Sequence, residues 1–280
     1  MRRLSLFVLG VCLASLVVAC GDDSRVLGNG PVTLIAFDRE GDLHIVAVST
    51  GAMTEILNTF YDDGMADVNL GRVSGAIYNP VVNKIWMGLG GRDSPCESCI
   101  LALDIATGEG VFVADGSIGG LDGFPGVAIS SANRMFVHEG DSSGLYEVNT
   151  TTGEVLEVNS NTGSGSGSGN GMTFSNSGVF YLASGEQIFT IDQTTFDSTL
   201  VADVSKSGFP TAEDGEIIAL STRPSDGVIF GIWHDGAGGG GGGDAYLITL
   251  APTTGVMTYI GTMPGKPDGL AFVPTTSLPR

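Results

Sequence analysis

The chain has 280 residues, with 31 acidic against 12 basic side chains and a formal net charge of −19. Binding to nucleic-acid phosphates or anionic headgroups needs clustered Lys and Arg, so this balance excludes a nucleic acid as partner. Hydrophobic residues at 42% and charged residues at only 15% exclude a disordered solvating polymer, in spite of 44 glycines.

The first element is unlike the rest. Arg2 and Arg3 form a positive start, Leu4 to Val18 is an almost unbroken apolar run, and Leu16-Val17-Val18-Ala19-Cys20 closes it. A positive start, a short apolar run and small residues at the exit are the pattern of a secretory signal. The run is shorter than the ~20 apolar residues that span a bilayer. Val17 to Cys20 resembles the bacterial lipobox, which implies that Cys20 receives lipid and becomes the new N-terminus. More than one acyl chain gives stable anchoring. Gly21 rather than Asp follows Cys20, and by resemblance to the enterobacterial sorting rule this implies the outer membrane. The expected division is 1–19 signal peptide, 20–31 lipidated cysteine and tether, 32–275 folded domain and 276–280 tail. Loss of Arg2 and Arg3 takes the formal charge from −19 to −21.

Along the folded part, a strand, a turn containing Thr-Gly and another strand recur. The phrase reads Leu43 to Thr50-Gly51 and Met53 to Leu57, then Ile100 to Thr107-Gly108 and Gly110 to Val113, then Leu145 to Thr152-Gly153 and Val155 to Val158. A degenerate copy runs from Ile188 to Val201, with Phe196 in place of the glycine, and a fifth runs from Tyr246 through Thr254-Gly255 to Ile260. Alternation around a Gly-containing turn marks a hairpin. A second phrase precedes the first each time: a small or acidic residue, Gly, then a strand. Its glycines are Gly75, Gly126, Gly171, Gly215 and Gly269, spaced by 51, 45, 44 and 54 residues. Another strand lies between the two phrases, at Lys84–Met87, Arg134–Val137, Val179–Leu182 and Val228–Ile232.

Each unit therefore holds four short strands in about 45–50 residues, the period of a propeller blade. The last unit stops after the strand that follows Asp268, and Val32–Phe37 reads as a second strand lacking a first. One blade is thus expected to be closed by strands from both ends of the chain, which removes free sheet edges. The fold class is all-β, a β-propeller of five four-stranded blades, or six if Phe60 to Gly71 hides further strands. From Val32 to Pro274 these phrases resemble the broad propeller superfamily of NHL-like, gluconolactonase-like and quinoprotein-like repeats, which is informative about architecture and not about activity.

Inner propeller strands begin near one mouth of the central channel. Ser74, Pro125 (with Asp122 upstream), Asn170, Asp214 and Asp268 would ring it. Asp122, Asn170, Asp214 and Asp268 offer the oxygen ligands that Ca²⁺ takes, although Asp and Asn before Gly are also ordinary turn formers. Resemblance to the gluconolactonase-like branch implies calcium and lactone hydrolysis at such a mouth. It also implies a Glu on an inner strand, where only Glu216 stands. His44, His138 and His234 fall in separate strands, and the plainer reading makes them polar residues at loop edges. In His138-Glu139 and His234-Asp235 the two neighbours point to opposite faces. There is no GxSxG elbow and no Walker loop.

Cys12 leaves with the signal and Cys20 carries lipid, which leaves Cys96 and Cys99. Exported cysteines this close form a local disulfide, and Pro95 with the strand-like Ile100–Leu103 does not supply the context of a thioredoxin-like site. The glycine-rich stretches at 163–171 and 238–243 read as loops without phosphate chemistry. Asp62 to Asp67 is acidic but lacks EF-hand spacing. Trp86, Trp233, Tyr61 and Phe124 either line a ligand site or fill blade cores, the commoner fate. The functional expectation is a membrane-anchored envelope lipoprotein that displays the propeller as a binding scaffold for an envelope protein, a glycan or a small molecule. The alternative is a calcium-dependent lactonase-like hydrolase.

Overall fold

The computed structural model describes residues 30–62, 64–90, 98–114, 126–139, 143–150, 152–162, 170–210, 214–236 and 243–279. The chain opens with β1 (Val32–Phe37), β2 (Leu43–Val46) and β3 (Met53–Leu57), then a short hairpin of β4 (Phe60–Asp62) and β5 (Asp67–Asn69). Four strands follow, β6 (Val73–Asn79), β7 (Lys84–Gly90), β8 (Ser98–Leu103) and β9 (Glu109–Ala114), and then β10 (Gly126–Ile129), β11 (Met135–His138), β12 (Leu145–Val148) and β13 (Val155–Asn159). Next come β14 (Met172–Phe174), β15 (Phe180–Ser184), β16 (Gln187–Ile191) and β17 (Ser198–Asp203), and a three-residue β18 (Ser205–Ser207). The last are β19 (Gly215–Thr222), β20 (Ile229–Asp235), β21 (Ala245–Ala251), β22 (Val256–Met263) and β23 (Gly269–Pro274).

These strands form five antiparallel blades. The first is β23-β1-β2-β3, so the C-terminal strand is the inner strand of the N-terminal blade, as the split unit predicts. The others are β6 to β9, β10 to β13, β14 to β17 and β19 to β22. The inner strands adjoin one another around a closed ring, with β23 between β19 and β6. Among the described residues there is no sixth blade: Phe60–Asn69 forms the β4–β5 hairpin, which runs along the outer edge of β9, and β18 likewise covers the edge of β22. After β23, residues 275–277 form one turn of 3-10 helix, Thr275 N bonds to Pro31 O, and Leu278 lies against the first core.

Burial explains which strands look uniformly apolar. In β1, Ile35 and Phe37 face the second blade, whereas Leu34 and Ala36 face the fifth. A strand covered on both faces reads as a continuous hydrophobic run. Five separate cores result, one at each joint between neighbouring blades. Outer strands such as β3 and β13 have half-buried or exposed side chains throughout.

One irregularity recurs in all five blades: the ladder between the third and fourth strands slips register near the start of the third strand. A bulge sharpens the local twist. At three joints the end of an outer strand lies under the Thr-Gly turn of the next blade. A Cβ at Gly108 would lie 2.6 Å from Asn58 O, one at Gly51 would meet Gly261, and one at Gly255 would collide with Asp203 O. Backbone bonds from Phe60 N to Gly108 O (3.0 Å) and from Ser205 N to Gly255 O (2.9 Å) fasten two of these joints. The turn glycine thus answers two demands, a positive φ (79° at Gly108) and a close approach of the neighbouring backbone. Phe196 holds the same left-handed conformation (φ 62°). Its carbonyl takes a 3.0 Å bond from Asn159 Nδ2, and its ring packs against Phe136 and Arg134.

Candidate binding site at the channel mouth

All inner strands begin at one mouth, where the second strand of each blade ends. Register fixes this: Gly269 pairs with Phe37, Gly126 with His138 and Gly215 with Asp235. The five buried Asp, Glu and His side chains among the described residues are His138, Glu139, His234, Asp235 and Asp268. All five lie at this mouth. Elsewhere among the described residues the joints hold aliphatic and aromatic groups with a few uncharged polar ones such as Asn79, Thr173 and Ser221.

The two His-acid pairs are built alike. Val137 points into the joint with the second blade, so His138 points the other way, toward the fourth, and Glu139 returns to the Val137 side. There the Tyr146 hydroxyl donates to Glu139 Oε2 at 3.3 Å. Burial, followed by the nearby carboxylate charges, pushes the Tyr146 phenol up to about 12. In the fifth blade, Asp235 Oδ2 accepts from Tyr246 at 2.9 Å and Oδ1 from the Asp244 amide. The Tyr246 phenol is raised, first by burial and then by Asp235. The sequence signal for this device is the recurrence Val137-His138-Glu139-Gly140 and Trp233-His234-Asp235-Gly236, followed by Tyr146 and Tyr246. The opposite-face expectation holds for both pairs, but neither histidine is the loop-edge residue that its place in the sequence suggests. The joints bury both.

The environments of the two histidines differ. Neither ring nitrogen of His138 has a hydrogen-bond partner. Burial lowers its pKa to about 4, opposed only by the neighbouring Glu139 backbone. A Cβ on Gly126, across the ladder, would lie 3.1 Å from His138 Cβ and 3.1 Å from the Met172 side chain. His234 instead sits in an ionic node: Nε2 is 3.2 Å from Pro267 O and 3.6 Å from Asp268 Oδ1. Asp268 Oδ2 accepts from Arg72 Nε at 2.7 Å. Burial lowers the His234 pKa, Asp268 works against it, and the charges of Arg39 and Arg72 lower it further. His44, in β2, is 2.7 Å from Asp38 Oδ2.

The sequence-level metal candidates separate. Asp122 and Pro125 lie outside the described residues. Asn170 is fully buried at the joint of the third and fourth blades, and Asp268 is committed to Arg72 at the joint of the fifth and first. Asp214 is exposed, and its carbonyl accepts from Gly236 N at 2.8 Å, one step beyond the β19–β20 ladder. Ser74 is buried at the mouth, and Glu216 stands opposite His234 on β19. Among the described residues no three His, Cys, Asp or Glu side chains are grouped to hold a metal ion. Trp86 and Trp233 are core residues of two joints. Tyr61 packs edge-on against Phe112 at 5.1 Å. Phe124, Cys20 and Cys96 lie outside the described residues, and Cys99 is buried in β8 opposite Leu89. Sequence reasoning missed Arg39 and Arg72. The available signal was their scarcity, since a basic residue just before an inner strand, as Arg72, or just after a second strand, as Arg39, stands out in so acidic a chain.

A closed ring of five four-stranded blades, with the buried Asp, Glu and His side chains of its described residues at one mouth, defines a five-bladed β-propeller. No protein-family model and no curated protein matches the chain. Solved structures do. A chain of a nidogen/laminin complex superposes with a TM-score of 0.54 at 12% identity, covering 86% of this chain and 98% of that one. A protein of unknown function from Bacteroides caccae gives 0.51 at 13% identity, covering 87% and 99%. At such identities the likeness establishes the propeller fold and nothing about activity.

Proposed function

We propose that the chain is an envelope lipoprotein, anchored through Cys20, whose propeller presents the channel mouth as a binding face for an envelope protein, a glycan or a small molecule. The observation that supports this reading is the placement of all five described buried Asp, Glu and His side chains at that mouth. Buried charge is costly unless it is paired, and a fold held by five apolar joints has no structural need to concentrate it at one end. The protein of the nidogen/laminin structure is a propeller in a protein complex, a use of the fold consistent with this one. The Cys96–Cys99 pair is proposed as a staple in the loop that enters β8.

Amide hydrogen exchange on the full chain in detergent tests the face. Neutral oligosaccharides, short carboxylates, and calcium with a δ-lactone are the probes. Protection by at least one of them at the inner-strand starts near Gly126, Gly215 and Gly269 supports the reading. Protection confined to the outer strands β3, β13 and β17, or none, ends it. Calcium-dependent loss of the lactone would replace the scaffold reading with the lactonase-like one. Anchoring is checked by incorporation of labelled palmitate, expected in the wild type and absent in Cys20→Ala.

A further inference from the structure

We propose that the wall of the mouth between the first, second and fifth blades binds an oxyanion, a carboxylate or phosphate group of a small ligand, with Arg39 and Arg72 as its donors. The proposal rests on the mouth being the binding face.

Cations are scarce in this chain, and their distribution is uneven. The described ones are Arg39, Arg72, Lys84, Arg134, Lys206, Arg223 and Lys266. Arg134 is held by both oxygens of Glu147 at 2.8 and 2.7 Å and stacks on Phe136. Arg223 is held by Asp226 at 2.9 and 2.6 Å and stacks on Phe230. Lys206 lies over Trp233 beside Glu186. Lys84 starts β7 at the far rim, opposite Asn79. The remaining three, Arg39, Arg72 and Lys266, are on the loops that meet at one stretch of the mouth. Those loops are held together: Asp268 N donates to Phe37 O at 3.2 Å, and a Cβ at Gly265 would lie 3.3 Å from that of Asp38.

Two buried polar atoms there lack hydrogen-bond partners, Arg39 Nε and Asp268 Oδ1. A buried guanidinium N–H without an acceptor is destabilising, and its fork matches a carboxylate or phosphate. Arg72 meets Asp268 through Nε, while its side chain remains 41% exposed, which leaves its terminal nitrogens to the mouth. Among the acids of this wall, Asp38 is engaged by His44 and by the amides of Glu40 and Asp42. Asp268 is engaged by Arg72. Asp235 is engaged by Tyr246 and the Asp244 amide and Asp42 by Asn58, and Glu216 with the exposed Glu40, Asp214 and Asp244 restricts the site to ligands whose anion reaches Arg39 directly. Both arginines already act electrostatically on His234, which places them around the same point.

The test is calorimetric titration of the full chain in detergent with inorganic phosphate and with succinate, at constant ionic strength. Saturable binding of at least one probe is expected. It should weaken about tenfold or more in Arg39→Gln, the equivalent of one lost charge-assisted bond, and stay unchanged in Lys84→Gln. Arg72→Lys, which keeps the charge and loses the fork, should weaken binding several-fold; it decides the matter if Arg39→Gln does not fold. Phosphate binding alone indicates a phosphorylated ligand, and succinate binding alone a carboxylate. Binding of neither probe, or equal loss in Lys84→Gln, overturns the proposal. A neutral oligosaccharide that still protects the inner-strand starts would then leave the binding face standing without its anion site, whereas the absence of all protection would remove both.

Discussion

Two joints of the ring carry a histidine near the end of the second strand, directed at the next blade, and the protein treats them in opposite ways. Between the third and fourth blades, His138 is enclosed with both nitrogens unpaired. Between the fifth and first blades, His234 has a carbonyl, a carboxylate and two arginines around it. The backbone places a polar ring at a mouth-side joint in both cases. The loops from neighbouring blades decide whether it becomes an inert neutral group or part of an ionic node. The comparison teaches that the blade repeat supplies positions, and that chemistry arises from what adjacent blades bring to them.

Acid should separate the joints most strongly. The folded pKa of His138, about 4, lies below the unfolded value of ~6.5. Between these values the unfolded state binds more protons, so stability is complete above the unfolded value and falls as pH drops through this window. The full loss is about 3 kcal/mol from this side chain. Urea unfolding at pH 7 and pH 5 should show His138→Leu sparing about 2 kcal/mol of the wild-type decrease. An identical decrease in both proteins would mean that His138 is already charged or solvated.

At neutral pH the ionic joint should be the more sensitive. Asp268→Asn removes the carboxylate under Arg72, and breaking a buried pair is costly. With Arg72 at 41% exposure, solvent screening reduces the expected loss to about 2 kcal/mol, read as a lower urea midpoint with unchanged slope. A variant as stable as the wild type would show that Arg72 finds solvent or another acceptor without cost.

The acid–tyrosine pairs sharpen the comparison on a smaller scale. Tyr246→Phe strips Asp235 of a 2.9 Å bond and should cost about 1.5 kcal/mol. Tyr146→Phe strips Glu139 of a 3.3 Å bond and should cost under about 1 kcal/mol. The reverse order in thermal or urea unfolding would show that the length of the hydrogen bond does not set the cost of losing it. Smallest of all should be Phe196→Gly. Relief of the left-handed backbone opposes the lost contact with Phe136 and Arg134, for a net loss of roughly 0.5 kcal/mol or less in the same unfolding assay.

Much of the architecture was legible before any coordinates. The Thr-Gly turns, the Gly-led inner strands and the split terminal unit led to five blades and to the pairing of β23 with β1, because these features depend on local φ requirements and on strand period. The outer-edge role of Phe60 to Asn69 was not legible, since a short strand carries no mark of which edge it will join. The candidate site was read only in part. The inner-strand starts do gather at one mouth, but Asn170 and Asp268 are buried at different joints, Asp214 is exposed, and the arginine partner of Asp268 is 196 residues away.

By itself, then, the sequence determined the strand period, the turn conformations and the closure of the ring, because each follows from covalent backbone preferences and from the alternation of burial. Only the tertiary structure decided that His138 stands unpaired while His234 is held in a charged node, that each outer ladder bulges, that Arg72 pairs with Asp268, and that Arg39 and Arg72 both act on His234. Those outcomes depend on which loops of neighbouring blades meet across a joint. That meeting is fixed by packing and electrostatics between segments far apart in the chain, and a single blade's sequence does not encode it.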